Sequence, residues 1–191
     1  MVFNGILTLL QQTNEIASEA LVAFRSKLHF ITVAKNVHFL EVGQICDKLC
    51  YVNKGLVRGY YNKSGKEVTA WFASEGTLFY AGDSFLLQKP TIEIIETLEN
   101  CEFVYILRDD LYELYNSYPS INSFGRILAE TDKLQSQQSL LDLRMNIAKD
   151  RLISFAKNNR GLFLRVPQKH IASHIGVSEG YISELLGRVK I

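Results

Sequence analysis

Pairs of histidines are the residues of this sequence whose spacing could bind a metal. His170 and His174 stand four apart, which places two imidazoles on one face of a helix, as in zinc proteases. Those enzymes need a glutamate directly after the first histidine, and here that residue is Ile171. His29 and His38 lie nine apart without a third histidine nearby, so a cupin-type metal site is not expected either. The sequence therefore predicts no metal site and no enzyme.

The three cysteines, Cys46, Cys50 and Cys101, form an odd set without a disulfide framework. Cys46 and Cys50 are four apart, which suits either a weak metal or redox pair or two buried thiols in a reducing compartment. We favour buried thiols, because free cysteine behaves as a small apolar residue. No apolar stretch approaches the roughly 20 residues that span a bilayer, and the start lacks the basic segment of a signal peptide. We expect a cytoplasmic protein with no membrane association and no cofactor.

Charge is distributed unevenly along the 191 residues. Residues 1–143 carry 12 lysines and arginines against 17 acidic residues, a net charge of −5. Residues 144–191 carry 9 against 3, a net charge of +6. Because a basic segment attracts polyanions and an acidic one repels them, the pattern favours nucleic-acid binding at residues 144–191 alone.

Residues 168–189, QKHIASHIGVSEGYISELLGRV, are predicted to form two short helices joined by a tight turn. Gly176 suits a turn residue with positive φ, and Ser178 suits the N-cap of the second helix. The small Ala172 would let the helices cross closely. This combination resembles the DNA-binding helix-turn-helix, whose second helix enters the major groove. The alternative is a helical hairpin with no such function.

The outward side of this motif supplies the candidate DNA contacts. Phosphates would be held by Gln168, by Lys169 and by the helix N-terminus at Ser178. The predicted DNA-binding residues are Gln168, Lys169, Ser178, Glu179, Gly180, Tyr181, Ser183, Glu184 and Arg188. Double-stranded DNA is therefore the predicted partner.

The segments that precede this motif are predicted to be helical first, then β-strands, then helical again. Residues 1–27 have the apolar spacing of helices. Residues 28–107 contain short runs rich in β-branched and aromatic residues, separated by turn sequences such as the Asn-Lys-Gly that ends at Gly55. This pattern predicts a β-sandwich or barrel rather than a parallel sheet. From about Asp109 the pattern becomes helical, with a stop near Pro119.

A long helical stretch follows, with residues spaced alternately by three and four, as at the a and d positions of a heptad. It predicts a dimer seam made of Phe124, Ile127, Thr131, Leu134, Gln138 and Leu141. The alternative is a helix packed against its own barrel. We favour the seam, and hence a homodimer, because no glycine or proline interrupts residues 126–160.

This organisation resembles the Crp/Fnr family of regulators over nearly the whole chain. YVNKGLVRGYYNKSGKEVTAWFASEG is similar to the family's strand-turn-strand core, and VPQKHIASHIGVSEGYIS to the tail of its short members. The resemblance implies an α+β fold: a double-stranded β-helix (jelly roll) of the cyclic-nucleotide-binding type with flanking helices, a long dimerisation helix and a carboxy-terminal helix-turn-helix. The implied domains are a sensor (1–118), a dimerisation helix (119–145) and a DNA-binding domain (146–191). It also implies transcriptional control, with RNA polymerase as a further candidate partner.

The ligand cassette departs from the family's pattern. Cyclic-nucleotide-binding members hold the phosphate with an arginine-serine pair, and this sequence has Thr91 and Ile92 there. The sole cation of residues 67–107 is Lys89, although a buried phosphate needs a paired cation. The candidate pocket residues are Phe79, Tyr80, Asp83, Ser84 and Thr91. We do not expect cyclic AMP or cyclic GMP to bind there.

The second helix of the helix-turn-helix also departs from the family's pattern, because Glu179 and Glu184 stand where the family often has arginines. A carboxylate accepts a hydrogen bond from cytosine N4 but is repelled by phosphates. Two functions stay open: a DNA-binding regulator that senses an unidentified signal, or a ligand- or protein-binding module of the same fold that has lost DNA binding. Salt-dependent DNA affinity would separate them.

Overall fold

The computed structural model describes residues 2–13 and 15–188. The helices are α1 (Asn4–Thr13), α2 (Ser18–Ser26), α3 (Gly82–Leu87), α4 (Arg108–Ser117), α5 (Pro119–Met145), α6 (Ala148–Asn158), α7 (Arg160–Arg165), α8 (Gln168–Ile175) and α9 (Glu179–Arg188). The strands are β1 (Leu28–Val33), β2 (His38–Leu40), β3 (Lys48–Lys54), β4 (Leu56–Lys63), β5 (Lys66–Ser74), β6 (Leu78–Phe79), β7 (Glu93–Thr97) and β8 (Cys101–Leu107). Among the described helices, none is long and apolar enough to cross a membrane.

The strands form two four-stranded sheets. The strand order is β1-β8-β3-β6 in the first sheet and β2-β7-β4-β5 in the second. β8 pairs antiparallel with both β1 and β3, so Phe103 lies opposite Ile31 on one side and Val52 on the other. Apart from the consecutive strands β4 and β5, neighbouring strands are distant in sequence, as in a jelly roll. This confirms the predicted double-stranded β-helix, called the roll below.

The turn at Gly55 shows why glycine is needed between β3 and β4. Gly55 has a φ of 105°, in the left-handed region where other residues are strained. A Cβ there would lie 2.5 Å from Sγ of Cys101 and 2.8 Å from the carbonyl oxygen of Asn100. The Gly55 amide also donates to Oε1 of Glu75 at 2.8 Å. Conformation, space and hydrogen bonding together specify this position.

The chain folds as two compact units. Unit 1 comprises Met1–Gly59 and Phe72–Asp132, and unit 2 comprises Tyr60–Trp71 and Lys133–Ile191. The tip of the β4–β5 hairpin (residues 60–71) therefore belongs with the carboxy-terminal helices. The units also divide inside α5, so the functional domains 1–118, 119–145 and 146–191 stay a prediction.

Candidate functional site

In unit 2, α8 and α9 form a helical pair joined by a tight turn. Gly176, in the turn, has a φ of 75°. The amide of Val177 donates to the Ala172 carbonyl at 2.9 Å, which closes α8. The amide of Tyr181 donates to Oγ of Ser178 at 3.3 Å, the bond expected of an N-cap. The predicted glycine turn and serine cap are therefore confirmed.

Aliphatic side chains hold the helical pair together, and a neighbouring helix braces it. The buried positions are Ile171, Ala172, Ile175, Ile182 and Leu185. From α6, Arg151 donates through Nε to the carbonyl of Ile175 at 2.8 Å and through Nη1 to the carbonyl of Asn146 at 2.6 Å. The bond to Ile175 satisfies a carbonyl at the end of α8 that the helix itself leaves unpaired.

The predicted DNA-binding residues lie on the solvent-facing side of this pair. Those with exposed side chains or backbone are Gln168, Lys169, Ser178, Glu179, Gly180, Tyr181, Ser183 and Glu184. Oγ of Ser183 donates to the Glu179 carbonyl at 3.2 Å and lies 3.5 Å from Oε1 of Gln168. The structure thus brings the start of α8 close to the second turn of α9. The side chain of Arg188 lies outside the described residues.

Ser173, which the sequence did not single out, connects α8 to the tip of the β4–β5 hairpin. Its hydroxyl donates to the carbonyl of Glu67 at 2.8 Å and accepts from the amide of Thr69 at 2.9 Å. Both partners lie more than 100 residues away along the chain. No local pattern could have indicated the contact, because a half-buried serine on a helix carries no signal of its distant partner.

His174 has a structural environment rather than that of a metal ligand. Its Nδ1 lies 3.4 Å from the carbonyl oxygen of Thr69, and its ring lies 5.4 Å from that of Phe155. Burial lowers the pKa of His174, because a charged imidazole loses hydration there. His170 is buried as well. Within the described residues, no cluster of three or more metal-binding side chains occurs.

In unit 1, three aromatic rings occupy the space between the two sheets of the roll. Phe39, Phe79 and Phe103 make mutual edge-to-face contacts, with centroids 5.0–5.9 Å apart. Beside them is a cavity of about 80 Å³. Its lining residues are Phe39, Leu40, Cys46, Asp47, Lys48, Cys50, Phe79, Tyr80 and Ile95. Sites for organic ligands are usually about 300–1,000 Å³, so this cavity is too small for a nucleotide.

The serine and threonine hydroxyls of the predicted ligand pocket form hydrogen bonds with backbone groups of the chain itself. Oγ of Ser84 accepts from the amide of Cys46 at 2.9 Å and donates to the carbonyl of Lys89 at 2.6 Å. Oγ1 of Thr91 accepts from the amide of Glu93 at 2.9 Å. Asp83 is exposed in the first turn of α3 and does not line the cavity. Only Phe79 and Tyr80 of the five candidates line it.

The buried charges of the roll also disfavour an anionic ligand. Arg58, which is 3% exposed, places Nε and Nη2 both 2.7 Å from Oε2 of Glu96. This cation is therefore already neutralised by a carboxylate of the neighbouring strand. Glu93, two residues after Thr91, is buried and adds a second carboxylate to β7. A phosphate would need net positive charge here.

The predicted dimer seam on α5 divides into a buried and an exposed part. Phe124 is 1% exposed and packs edge-to-face on Phe24 at 6.5 Å, so it belongs to the core of unit 1 rather than to an exposed seam. Ile127 is half-buried. The later positions Thr131, Leu134, Gln138 and Leu141 are exposed. The exposed apolar surface of α5 therefore begins at Leu134, about four turns into the helix, and includes Leu140 and Leu143, which the heptad pattern omitted.

Comparison with known proteins agrees with this fold. Residues 30–118 match the family model of the cyclic nucleotide-binding domain. Comparison with curated proteins finds no match. Among solved structures, FixK2 from Bradyrhizobium japonicum covers 84% of this chain and 83% of its own at a TM-score of 0.74 and 15% identity. A transcriptional regulator of the Crp/Fnr family from Eubacterium rectale covers 92% of this chain and 84% of its own, with a TM-score of 0.72 and 16% sequence identity. The Thermus thermophilus catabolite activator protein covers 94% of this chain and 85% of its own, with a TM-score of 0.55 and 20% sequence identity.

Residues 30–118 are therefore similar to the cyclic nucleotide-binding domain, and the chain has the fold of the Crp/Fnr regulators that it matches. The resemblance recognised from the sequence is confirmed at this level.

Proposed function

We propose that this chain is a dimeric, cytoplasmic, DNA-binding transcription regulator of the Crp/Fnr type. The observation that carries the proposal is the helical pair: α9 is exposed along one side, α8 braces it, and both lie in a segment of net charge +6. A helix-turn-helix presents its second helix to the major groove in this way.

Phosphate contacts would come from the first residues of each helix. Backbone amides at a helix N-terminus point towards solvent and attract anions, and Ser178 precedes α9 in that position. Gln168 and Lys169 are exposed at the start of α8. Because Ser183 lies against Gln168, the same surface offers the phosphate and base contacts together.

The exposed leucines of α5 favour a homodimer. Leu134 is 67% exposed, and Leu140, Leu141 and Leu143 are exposed as well. A second copy of the helix would remove these side chains from water, as in a coiled coil. A two-fold dimer would present two α9 helices to half-sites about 34 Å apart. Bound at a promoter, such a dimer would meet RNA polymerase, a further proposed partner.

The roll would sense a signal other than a cyclic nucleotide. Its interior is filled by Phe39, Phe79 and Phe103, and its buried Arg58 is paired with Glu96. A signal that changes the roll would act by shifting the populations of dimer arrangements with different DNA affinity.

The test is a titration of the purified protein with duplex DNA at two salt concentrations. Tight binding to a palindromic sequence, weakening steeply with salt, would support the proposal. Lys169→Ala should weaken binding to all sequences and reduce the salt slope by about one per monomer. Lys157→Ala, the same charge change at an exposed position of α6, should leave both nearly unchanged.

A second candidate function is a ligand- or protein-binding module that does not bind DNA. The exposed carboxylates of Glu179 and Glu184 on α9 favour it, because they would be repelled by phosphates. Weak binding to every duplex at low salt would establish this alternative and refute the regulator.

A further inference from the structure

Two thiols line the cavity between the sheets of the roll. Cys46 and Cys50 both border this space of about 80 Å³. The two residues are only 5% and 1% exposed. Their spacing in the sequence suits either a metal pair or two buried apolar residues. Because protein cores are close-packed, a void that two thiols share is not explained by packing alone.

The backbone around both cysteines is held firmly. The Cys46 amide donates to Oγ of Ser84 at 2.9 Å, and the Cys46 carbonyl accepts from Nε2 of Gln88 at 3.2 Å. Cys50 lies on β3, which pairs with both β6 and β8. Both sulfurs are therefore attached to fixed backbone, which is the preorganisation that a metal site requires.

The surroundings of the two sulfurs favour the protonated thiols until a cation binds. Burial raises the pKa of Cys46 and raises that of Cys50 well above its ordinary value, because a thiolate loses hydration there. The neighbouring Cys46 raises the pKa of Cys50 further, since two thiolates at short range repel each other. Backbone hydrogen bonds at Ala81 and Lys48 act in the opposite direction on the pKa of Cys46. A cation between the sulfurs would remove the repulsion and stabilise both thiolates.

The number and charge of the ligands indicate the kind of cation. Within the ranges that the structure describes, no group of three or more metal-binding side chains includes the two cysteines, whereas structural zinc takes four ligands. Two thiolates alone suit a soft cation that two sulfur ligands satisfy. A divalent ion would leave the apolar cavity neutral, but a monovalent ion would leave a buried negative charge. Lys48 offsets little of that charge, because its Nζ lies 2.6 Å from Oδ1 of Asp47.

We propose that the cavity of the roll binds a soft divalent cation of the mercuric type between the sulfurs of Cys46 and Cys50. Two S–H bonds break, two metal–sulfur bonds form and both protons pass to solvent, so the step needs no oxidant or reductant. The cavity of about 80 Å³ exceeds the roughly 10–15 Å³ that one water requires, so it has room for an ion. The partly exposed side chains of Asp47 and Lys48 line the same cavity and provide its contact with solvent. This site goes beyond the proposed function and does not depend on DNA binding.

The experiment is equilibrium dialysis of the full-length protein against Hg²⁺ with excess glutathione, a monothiol that removes the ion from any single cysteine. The wild-type protein should retain one ion per chain. Cys46→Ser and Cys50→Ser should each lower the affinity at least about a hundredfold, because the second sulfur no longer binds within the same molecule. Cys101→Ser is the matched control, since Cys101 is also buried but does not line the cavity, and it should keep the wild-type affinity.

A second measurement uses the wild-type protein alone, so it stands even if a serine variant fails to fold. X-ray absorption of the complex with Hg²⁺ should count two sulfur neighbours per ion. Zn²⁺ in place of Hg²⁺ should not be retained in the dialysis, because two thiolates do not complete its coordination.

Three results would overturn the proposal. One is that the wild-type protein retains no Hg²⁺ against glutathione. Another is that Cys46→Ser and Cys50→Ser, with unchanged melting temperatures, bind as tightly as the wild type, since the two thiols would then act independently. The third is a sulfur count of one, which means a single cysteine, or of four, which means an ion shared between two chains.

Discussion

Removing the hydroxyl of Ser173 should weaken the contact between α8 and the tip of the β4–β5 hairpin, so that this contact opens more often. Ser173→Ala removes the bond from the Thr69 amide and the bond to the Glu67 carbonyl. Glu67 is exposed, so water can replace the bond to its carbonyl. Thr69 is 2% exposed, so its amide stays buried and unpaired. An unsatisfied buried donor costs about 1–3 kcal/mol, which corresponds to roughly a 5- to 150-fold increase in local opening.

The assay is hydrogen exchange at the Thr69 amide, followed by NMR under native conditions. Protection of this amide should fall by the stated factor in Ser173→Ala. Ser183→Ala is the control, because that hydroxyl is exposed and its loss should change stability by less than about 0.5 kcal/mol. Unchanged protection of Thr69 in Ser173→Ala would refute the reasoning, since the hairpin would then be held by other contacts.

Four further predictions concern individual residues. Within the described residues, Oγ1 of Thr69 is buried without a hydrogen-bond partner, so Thr69→Val should leave stability unchanged or raise it by about 1 kcal/mol in urea unfolding. Gly55→Ala should lower the free energy of unfolding by about 2–4 kcal/mol, because strain and steric overlap add. Gly65→Ala, at a left-handed position with open space, should cost less, and equal losses would contradict the steric argument. Leu134→Lys should convert the proposed dimer to monomer in analytical ultracentrifugation, because an exposed leucine of α5 is replaced by a charge, and an unchanged mass would place the interface elsewhere. Because burial lowers the pKa of His174, the unfolded chain takes up a proton near pH 6.5 before the folded protein does. Stability should therefore fall as the pH drops below about 6.5, and a His174→Gln variant with the same slope would contradict this.

The helical pair shows how far local sequence can predict a candidate site. The turn at Gly176, the cap at Ser178 and the buried Ile182 depend on interactions within a few residues of each other. Backbone conformation, capping and helical periodicity are local properties, so the sequence expresses them directly. The exposed set on α9 follows from the same periodicity, and its contacts with DNA remain a prediction.

The long helix shows where periodicity is insufficient. The heptad spacing includes Phe124, yet that ring packs on Phe24 in unit 1. A regular apolar stripe predicts that a helix face will be buried, but it does not specify the partner that buries it. The exposure of Leu134 and Leu141 is a property of the folded chain and not of the heptad spacing.

The sequence by itself determined the strands and their glycine turns, the helix-turn-helix pattern and the presence of Thr91 where the family's phosphate cassette has an arginine. These depend on residue type and short-range order. Only the tertiary structure decided that Phe39, Phe79 and Phe103 fill the roll, that Ser84 and Thr91 use their hydroxyls within the chain, and that Ser173 holds a hairpin tip. Most of these contacts join residues from separate elements, and their geometry exists only once the sheets and helices have packed.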